Sequence, residues 1–303
     1  MAEAAAIEMT GLSKTYRGGV VALSGLDLRL ERGEVLGFLG PNGAGKSTTL
    51  RLLLDLIRPS AGRARILGLD VRAEGVEVRR RVGYVPGDLR LADRLSGGEQ
   101  LDSLARLRGW ADAALRDELC RRFDVVLDRP IRDLSKGNRQ KLGLVQAFMH
   151  RPEVLVLDEP TTGLDPLLQE EFRRLLRETV DDGRAVFLSS HSLDEVQHVA
   201  DRVAIIRAGR LVDVDSVESL REHALRRVTI HFAGAVEVAP FAALPGGVVD
   251  AAEGDVLRLS VPESAMDGLV KTAARSTILD LVSEPADLEE IFLDRYREVD
   301  DGR

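Results

Sequence analysis

Apolar and polar positions alternate over the first 40 residues in the manner of short β-strands. Leucines recur at mostly two-residue spacing between positions 23 and 30, and Val35–Leu39 is a continuous apolar run typical of a strand covered on both faces. A glycine-rich turn follows this run. Residues 47–57 then predict a helix that ends before Pro59, and residues 63–86 predict further strands.

The middle of the chain is first helical and then alternating. From about residue 93 to residue 150 the pattern is helical and rich in arginine, with breaks at Gly109-Trp110 and Pro130. Residues 151–216 then alternate between strand and helix patterns. That alternation predicts a mostly parallel α/β sheet that carries a helical insertion.

Beyond about residue 225 the composition changes, and the pattern predicts a second, smaller domain. Its elements are a strand, a short helix, a hairpin that turns at Glu253-Gly254, a helix, a strand and a final helix, over residues 227–233, 240–244, 247–260, 263–276, 278–283 and 286–298. The order βαββαβ is that of a ferredoxin-like split βαβ unit. We therefore expect two domains, residues 1–222, with a helical subdomain at about 89–150, and residues 223–303.

The composition excludes several classes of protein. The chain of 303 residues has 44% hydrophobic and 30% charged residues, the balance of a protein that buries a core. A net charge of −8 argues against general binding to nucleic acid, and 4% aromatic residues argue against stacking on single strands. The one cysteine, Cys120, excludes an internal disulfide and a Cys-based zinc cluster. No apolar run approaches the roughly 18 residues of a membrane span, and the N-terminus lacks the pattern of a secretory signal, so we expect a cytoplasmic location.

A phosphate-binding motif lies between a predicted strand and a predicted helix. The pattern G-x-x-x-x-G-K-[ST] is matched without a mismatch by Gly40-Pro41-Asn42-Gly43-Ala44-Gly45-Lys46-Ser47. Glycines let successive backbone N–H groups converge on a phosphate, and the helix points its positive end at the anion. We expect Lys46 to reach the β- and γ-phosphates and the Ser47 hydroxyl to take a Mg²⁺ position. The flanking strand and helix favour this function over a glycine-rich turn without a ligand.

Two adjacent carboxylates follow a later buried strand. The apolar run 154–157 ends in Asp158 and Glu159, which cannot both enter a core unpaired and are expected at the carboxyl edge of the sheet. One carboxylate can hold Mg²⁺ through water, and the other can orient or deprotonate an attacking water. An exposed acidic turn is the alternative for this stretch taken alone, but the phosphate-binding motif favours catalysis.

A histidine follows the predicted strand over residues 185–190. His191 at such a strand end lies near a bound nucleotide and could bond its γ-phosphate, although taken alone it is more typical of a surface histidine beside a helix start. Ser192 and Glu195 have the S-x-x-E spacing of a capping box and are expected to begin the next helix.

Taken in order, these motifs resemble those of the ATP-binding-cassette (ABC) ATPases, the nucleotide-binding subunits of ABC transporters, over about residues 7–220. The resemblance implies an α/β P-loop NTPase fold, in which a mostly parallel core sheet carries an antiparallel β subdomain and the helical insertion. The small α+β domain would follow it. ATP hydrolysis with Mg²⁺ is implied, with Ser47 and Asp158 on the metal and Glu159, His191 and Lys46 as catalytic residues. Further nucleotide contacts are implied for Tyr16, which matches the aromatic that stacks on adenine, for residues 40–47 and for Thr48.

The chain offers two candidates for the signature sequence of this family. Residues 95–100, LSGGEQ, match its consensus more closely than residues 134–140, LSKGNRQ, in which Lys136 replaces the commonest glycine. In the family the signature serine stands 23 residues before the first carboxylate. Ser135 stands 23 residues before Asp158, whereas Ser96 stands 62 residues before it.

The spacing therefore assigns the signature to Ser135, together with Gly137 and Gln140. Ser96 and Glu99 fit a capping box that opens a helix. The signature also implies a homodimer, because its serine lies too far along the fold to reach the phosphate loop of its own chain. By the resemblance, it closes over ATP that is held by a second copy.

One position departs from the family pattern. The family usually has glutamine where Gly87 stands, and this glutamine contacts the metal or the attacking water and links the core to the transmembrane domain. Asp88 is either a substitute at the metal or part of a flexible hinge between the core and the helical insertion. Both alternatives stay open from the sequence.

The resemblance also implies the partner. Residues 285–294 are similar to the tail of drug- and antibiotic-exporter ATPases whose membrane subunit is encoded separately. We therefore expect the ATPase subunit of a bacterial exporter, held on the cytoplasmic face of the membrane by a transmembrane permease subunit that docks near residues 87–125. The alternative is an ATP-dependent dimerising switch that regulates or assembles other proteins without transport.

Overall fold

The computed structural model describes residues 4–109, 112–223 and 225–284. The chain divides into two compact units, Met1–Val214 and Asp215–Arg303. Its strands, in chain order, are β1 (Ile7–Thr15), β2 (Val21–Leu30), β3 (Val35–Leu39), β4 (Ala61–Ile66), β5 (Leu69–Asp70), β6 (Val82–Val85), β7 (Val154–Asp158), β8 (Ala185–Ser190), β9 (Arg202–Arg207), β10 (Arg210–Ser216), β11 (Leu225–Phe232), β12 (Val248–Glu253), β13 (Val256–Pro262) and β14 (Ile278–Glu284). Its α-helices are α1 (Lys46–Leu53), α2 (Gly75–Arg81), α3 (Gly97–Arg108), α4 (Ala113–Arg122), α5 (Lys136–Phe148), α6 (Pro166–Asp181), α7 (Leu193–Gln197), α8 (Val217–His223), α9 (Ala239–Ala242) and α10 (Met266–Ala273).

A largely parallel sheet forms the centre of the first unit, in the order β10-β9-β3-β8-β7-β6. Strands β3, β7 and β8 are buried along their whole length, as expected for apolar strands covered on both faces. Because β3, β7 and β8 run parallel, with Leu39 opposite Ser190 and Asp158 opposite Ser189, their carboxyl ends meet at one edge. The loops after these three strands therefore lie together, which is where open α/β sheets place their ligands.

An antiparallel sheet, in the order β2-β1-β4-β5, completes the core of this unit. The helical insertion follows β6 and contains α3, α4 and α5, with Gly109 ending α3 in the left-handed conformation (φ 67°). Arg122 on α4 ties the insertion to α6 through Glu171 and through Glu178 at 2.6 Å. The α/β fold with an antiparallel β subdomain and a helical insertion is therefore confirmed.

Two local expectations were wrong. Strands were expected over residues 63–86, but α2 occupies part of this range, because Val76 is 65% exposed while Gly75 and Val78 are buried at helical spacing. Alternating valines alone do not distinguish these two patterns. The helix expected over residues 47–57 ends at Leu53, and Asp55 then takes a left-handed conformation (φ 53°) that a helix cannot continue.

The second unit contains an antiparallel sheet in the order β12-β13-β11-β14. Its first and third strands, β11 and β13, are central and adjacent, which is the arrangement of a ferredoxin-like βαββαβ unit. Helices α9 and α10 cover one face and bury Val228, Ile230 and Phe232 against Leu257 and Leu259. The predicted hairpin turns at Gly254 (φ 64°), and the helix predicted over residues 286–298 lies outside the described residues.

Candidate active site

The phosphate-binding motif forms the loop between β3 and α1. Gly45 is the N-cap of α1 with a φ of 113°, and Gly43 has a φ of 83°, conformations that favour glycine. A Cβ atom at Gly40 would lie 2.4 Å from the carbonyl oxygen of Ile206, and one at Gly45 would lie 2.6 Å from that of Ala22. No side chain caps α1, so its first N–H groups can bind an anion.

Lys46 is the buried cation of this loop. Its side chain is 6% exposed, and Nζ donates to the carbonyl oxygens of Gly40 at 2.5 Å and Pro41 at 3.2 Å. Burial lowers the pKa of Lys46, while the negative charges of Glu159 and Asp158 oppose this effect. The ammonium is therefore held by two neutral acceptors, which a phosphate oxygen can replace with a stronger, charge-assisted bond.

Asp158 ends β7 and is 5% exposed. Its Oδ1 accepts a hydrogen bond from the hydroxyl of Ser189 on the adjacent strand β8. Gly87, which follows β6, lies against the other oxygen, because a Cβ atom added there would be 3.1 Å from Oδ2. The carboxylate is thus fixed between two neighbouring strand ends.

Glu159 and His191 contact each other across the same edge. Glu159 has a φ of 47°, a left-handed conformation that is uncommon for glutamate and that raises the energy of the backbone by about 1 kcal/mol. Its N–H donates to the carbonyl oxygen of Ser189 at 3.1 Å. Its Oε1 lies 3.2 Å from Nδ1 of His191, and the two side chains are 29% and 55% exposed. Both groups are therefore open to solvent and to a ligand.

The expected capping box at Ser192 was wrong. Ser192 makes no side-chain capping bond to α7. The carboxylate of Glu195 instead accepts hydrogen bonds from the hydroxyls of Thr161 at 2.9 Å and Ser190 at 2.8 Å. These two hydroxyls reach the carboxylate from the loop after β7 and from the last residue of β8, which the S-x-x-E spacing does not reveal.

The two signature candidates occupy different places. Ser135 caps α5, with Asn138 N and Asn138 Nδ2 both donating to its Oγ at 3.2 Å. A Cβ atom at Gly137 would lie 2.7 Å from the carbonyl oxygen of Gly163, and Gln140, 7% exposed, donates to that of Pro160 at 2.8 Å. The start of α5 thus lies against the loop that follows Glu159.

Ser96 begins α3 in a complete capping box. Its Oγ accepts from Glu99 N at 3.2 Å, and the Glu99 carboxylate accepts from Ser96 N at 2.8 Å. The N–H of Gly98 donates to the carbonyl oxygen of Leu127, which also belongs to the insertion. This confirms the capping box that the sequence predicted for residues 96–99.

Three further predicted residues, Tyr16, Thr48 and Asp88, have contacts of their own. The Tyr16 hydroxyl is 3.3 Å from Oγ1 of Thr48, near the start of α1, and Nζ of Lys14 lies 5.2 Å from the centre of the Tyr16 ring. Asp88, the proposed substitute at the metal, accepts hydrogen bonds from the Arg90 guanidinium at 3.0 and 3.1 Å, and both side chains are mostly exposed. The structure thus directs Asp88 toward Arg90.

The residues at this edge fit Mg²⁺ with a nucleotide. Over the described ranges, no group of three or more His, Cys, Asp or Glu side chains could hold a metal by itself. Mg²⁺ in nucleotide sites keeps several waters and uses one or two carboxylates together with substrate phosphates. One fixed carboxylate, Asp158, and one half-buried hydroxyl, Ser47, beside a glycine cradle match that need.

Comparison with known proteins places the chain in a family. A family model described as "ABC transporter" matches residues 23–162. The daunorubicin/doxorubicin resistance ATP-binding protein DrrA of Streptomyces peucetius is 41% identical over 212 residues, which span 68% of this chain and 64% of that protein. The daunorubicin resistance ATP-binding protein DrrA3 of Streptomyces coeruleorubidus is 38% identical over 303 residues, 95% of each chain.

Solved structures agree on the fold. A structure described as the ATP-binding subunit of an ABC transporter has a TM-score of 0.66 at 29% identity, over 71% of this chain and 91% of that one. The ATP-binding cassette MJ0796, described as dimeric and bound to ADP and Pi, has a TM-score of 0.64 at 23% identity, over 70% and 98% of the two chains. The helices that the structure describes include none with both the length and the apolar character of a membrane span. The chain therefore belongs to the ATP-binding proteins of ABC transporters and is an ATP-hydrolysing enzyme that acts on ATP with Mg²⁺.

Proposed function

We propose that this chain is the ATPase subunit of a bacterial ABC exporter, which forms a homodimer around two ATP molecules and drives a separate transmembrane subunit. One observation carries the proposal. A glycine cradle with a buried lysine, a fixed aspartate and a solvent-open Glu159–His191 pair meet at one edge of the sheet. Phosphoryl transfer to water requires a loop that holds the phosphates, positive charge that stabilises them and a base for the attacking water, and this site supplies groups for all three.

Each of these side chains has a distinct role in the proposal. Glu159 is the general base that orients and deprotonates the attacking water, and His191 holds both Glu159 and the γ-phosphate. Lys46 exchanges its two carbonyl acceptors for phosphate oxygens and offsets the developing charge. Mg²⁺, when bound by Ser47 and Asp158, supplies further charge stabilisation on the phosphates.

The geometry at Ser135 supports the dimer. Two N–H groups of Asn138 already donate to the serine oxygen, so the single hydroxyl hydrogen is left to donate elsewhere. An outward O–H group at the start of a 13-residue helix is a donor for an anion. In the proposal this anion is the γ-phosphate of ATP held by a second copy; the MJ0796 cassette, which shares the fold, is described as dimeric.

A groove beside β6 and α3 supports docking of a membrane subunit. Its cavity volume is about 220 Å³, and its lining combines apolar side chains with two arginines, at Leu54, Leu56, Arg79, Val82, Tyr84, Leu104, Arg108, Gln146 and Ala147. Leu56 is 56% exposed at this groove. An amphipathic helix that presents an acidic residue between apolar ones fits such a lining. Tyr84 lies on β6, which pairs with β7, the strand that ends at Asp158. Burial, together with the charge of Asp158, raises the pKa of Tyr84.

The exporter assignment draws its support from the relatives. Both DrrA proteins are named for resistance to daunorubicin, and the match to DrrA3 includes the second unit. Co-purification with a protein of about six apolar spans would support this assignment. A purified dimer that hydrolyses ATP but retains no such partner would support a switch that is not coupled to transport.

The variant Glu159→Gln tests the catalytic part of the proposal. It keeps the shape of the side chain and removes the base, so we expect hydrolysis to fall by at least about 100-fold and an ATP-bound dimer to accumulate. Phosphate release and size-exclusion chromatography with ATP measure the two effects. Glu170→Gln, on the exposed face of α6, is the matched control and should hydrolyse ATP normally. Normal hydrolysis by Glu159→Gln would refute the assignment.

A further inference from the structure

Glu195 joins two loops of the active site that are distant in sequence. It lies on α7, and its Oε1 accepts from Thr161 Oγ1 at 2.9 Å while its Oε2 accepts from Ser190 Oγ at 2.8 Å. Ser190 is 1% exposed, and Glu195 is half-buried. A carboxylate has two acceptor oxygens, and here each oxygen has one hydroxyl donor. We refer to these three side chains as the Glu195 clamp.

Both arms of the clamp end next to residues of the site. Thr161 stands two positions after Glu159, on the loop whose Gly163 lies against the start of α5. Ser190 directly precedes His191, and its Oγ also accepts the N–H of Ser192 at 3.0 Å. His191 is therefore bracketed on both sides by backbone that the clamp holds in place.

The two hydroxyls of the clamp stand within two residues of the pair that the proposed chemistry uses. Glu159 and His191 come from the same two loops and meet through a single contact of 3.2 Å between partly exposed side chains. A pair that is open to solvent on one side has little packing of its own to fix its geometry. The geometry of the pair then depends on what joins the two segments, namely the bond from Glu159 N to the Ser189 carbonyl and the Glu195 clamp.

The surroundings exclude a separate ligand site at Glu195. The adjacent cavity has a volume of about 50 Å³, which holds no more than a few waters and is far below the several hundred cubic ångströms of a small-molecule site. The carboxylate is also already occupied by its two hydroxyl donors. The contacts of Glu195 therefore favour a role in holding neighbouring residues of the chain over the binding of a ligand.

We infer that Glu195 is a positioning residue, which holds His191 against Glu159 and links the loop at residues 161–165 to His191. The inference rests on the proposed function, because it gives Glu195 its effect through the Glu159–His191 pair. Glu195 itself touches neither water nor phosphate in this scheme.

The variant Glu195→Ala removes both arms of the clamp. We expect kcat to fall by about 10- to 100-fold, because small displacements of catalytic groups have effects of that size. The KM for ATP should change by less than about twofold, since the clamp makes no contact with the phosphate loop or Lys46. ATP titrations of steady-state phosphate release measure both constants.

Three further variants separate positioning from general loss of structure. Glu195→Gln should retain most of kcat, because its carbonyl accepts from one hydroxyl and its amide donates to the other. Asp194→Ala removes the neighbouring exposed carboxylate of the same helix and should behave as the unchanged chain. Thr161→Val removes a single arm without changing the volume of the side chain, and should lower kcat by an intermediate factor.

A double-mutant cycle with His191 decides the inference. In a His191→Ala background, Glu195→Ala should lower kcat by less than about twofold further, because the group that it positions is already absent. An equal loss in both backgrounds, or a full kcat in Glu195→Ala, would overturn the inference. If Glu195→Ala does not fold, the Thr161→Val cycle with His191→Ala gives the same decision. Normal hydrolysis by Glu159→Gln, by contrast, would overturn the proposed function and not the clamp alone.

Discussion

Two serines of this chain begin helices with the same local bond and nevertheless lie in very different surroundings. Ser96 and Ser135 each accept the N–H three residues later at 3.2 Å. At Ser96, a glutamate completes the capping box, and Gly97 lies against Val126 within the helical insertion. At Ser135, by contrast, the next residues meet the loop that follows Glu159.

The difference shows what a consensus match can and cannot report. LSGGEQ is the closer match, but its glutamate completes a capping box on its own helix, and its first glycines contact residues of the insertion. LSKGNRQ lacks that glutamate, and Gly137 and Gln140 tie the helix to Gly163 and Pro160. In our proposal, contact with the loop that follows Glu159, rather than the letters of the motif, distinguishes Ser135 from Ser96.

The largest expected effect comes from exchanging the two hydroxyls for hydrogen. Ser135→Ala should lower ATP hydrolysis by about 100-fold, because removal of one hydrogen-bond donor to a developing charge has effects of that order. Ser96→Ala should keep the rate and lose about 1 kcal/mol of stability through its cap. Phosphate release and urea unfolding of both variants check this contrast. A loss of hydrolysis confined to Ser96→Ala would reverse the assignment of the signature.

An intermediate effect is expected at the glycines. Gly137→Ala places a Cβ atom 2.7 Å from the carbonyl oxygen of Gly163, so the loop must move, and we expect hydrolysis to fall by about 10-fold. Gly98→Ala meets Leu127 at an ordinary 3.5 Å and should leave the rate unchanged. Parallel rate measurements on the two alanine variants test this. Equal rates would show that the contact between α5 and the catalytic loop has no functional weight.

The smallest expected effect is a pH dependence of the stability that the Ser96–Glu99 capping box contributes. The hydrogen bond from Ser96 N lowers the pKa of Glu99, so the ionised form contributes stability above the ordinary carboxyl range, and this is lost as the pH falls through the lowered value. The difference in urea midpoint between the unchanged chain and Glu99→Gln should therefore shrink from pH 7 to pH 3. Asn138 stands three residues after Ser135, as Glu99 does after Ser96. The difference in urea midpoint between the unchanged chain and Asn138→Ala should not show the decrease between pH 7 and pH 3 that is expected for Glu99→Gln. A Glu99→Gln difference that is the same at both pH values would contradict the account.

Contiguous motifs could be predicted from the sequence, and contacts between distant residues could not. Residues 40–47 are one short segment in which positions that need unusual backbone angles are visible as glycines, and the spacing to Asp158 pointed to the start of the helix that Ser135 caps. The bonds from Ser189 to Asp158 and from Thr161 to Glu195 join residues 31 and 34 positions apart. Each partner is visible in the sequence, but a hydroxyl has many possible acceptors until the strands are aligned. This is why Glu195 was predicted to cap a helix.

The secondary structure was predicted wrongly where the local sequence pattern fits both a strand and a helix. The valines around position 77 alternate as in a strand, yet a helix buries Val78 with Gly75 and pairs Glu77 with Arg81 at 2.8 Å. Only the packing of neighbouring elements distinguishes these alternatives. The order βαββαβ in the second unit was predictable because each of its elements has a clear boundary, such as the turn at Gly254.

The glycine beside Asp158 has a mechanical consequence. A glutamine at position 87 could hydrogen-bond to its surroundings and so resist both compression and separation, whereas packing of Gly87 against the carboxylate resists compression only. In this chain, movement of the insertion toward the sheet can press on Asp158, but movement away from the sheet has no side chain at position 87 by which to pull it. A pull from a membrane partner would have to reach Asp158 by another route, such as the pairing of β6 with β7.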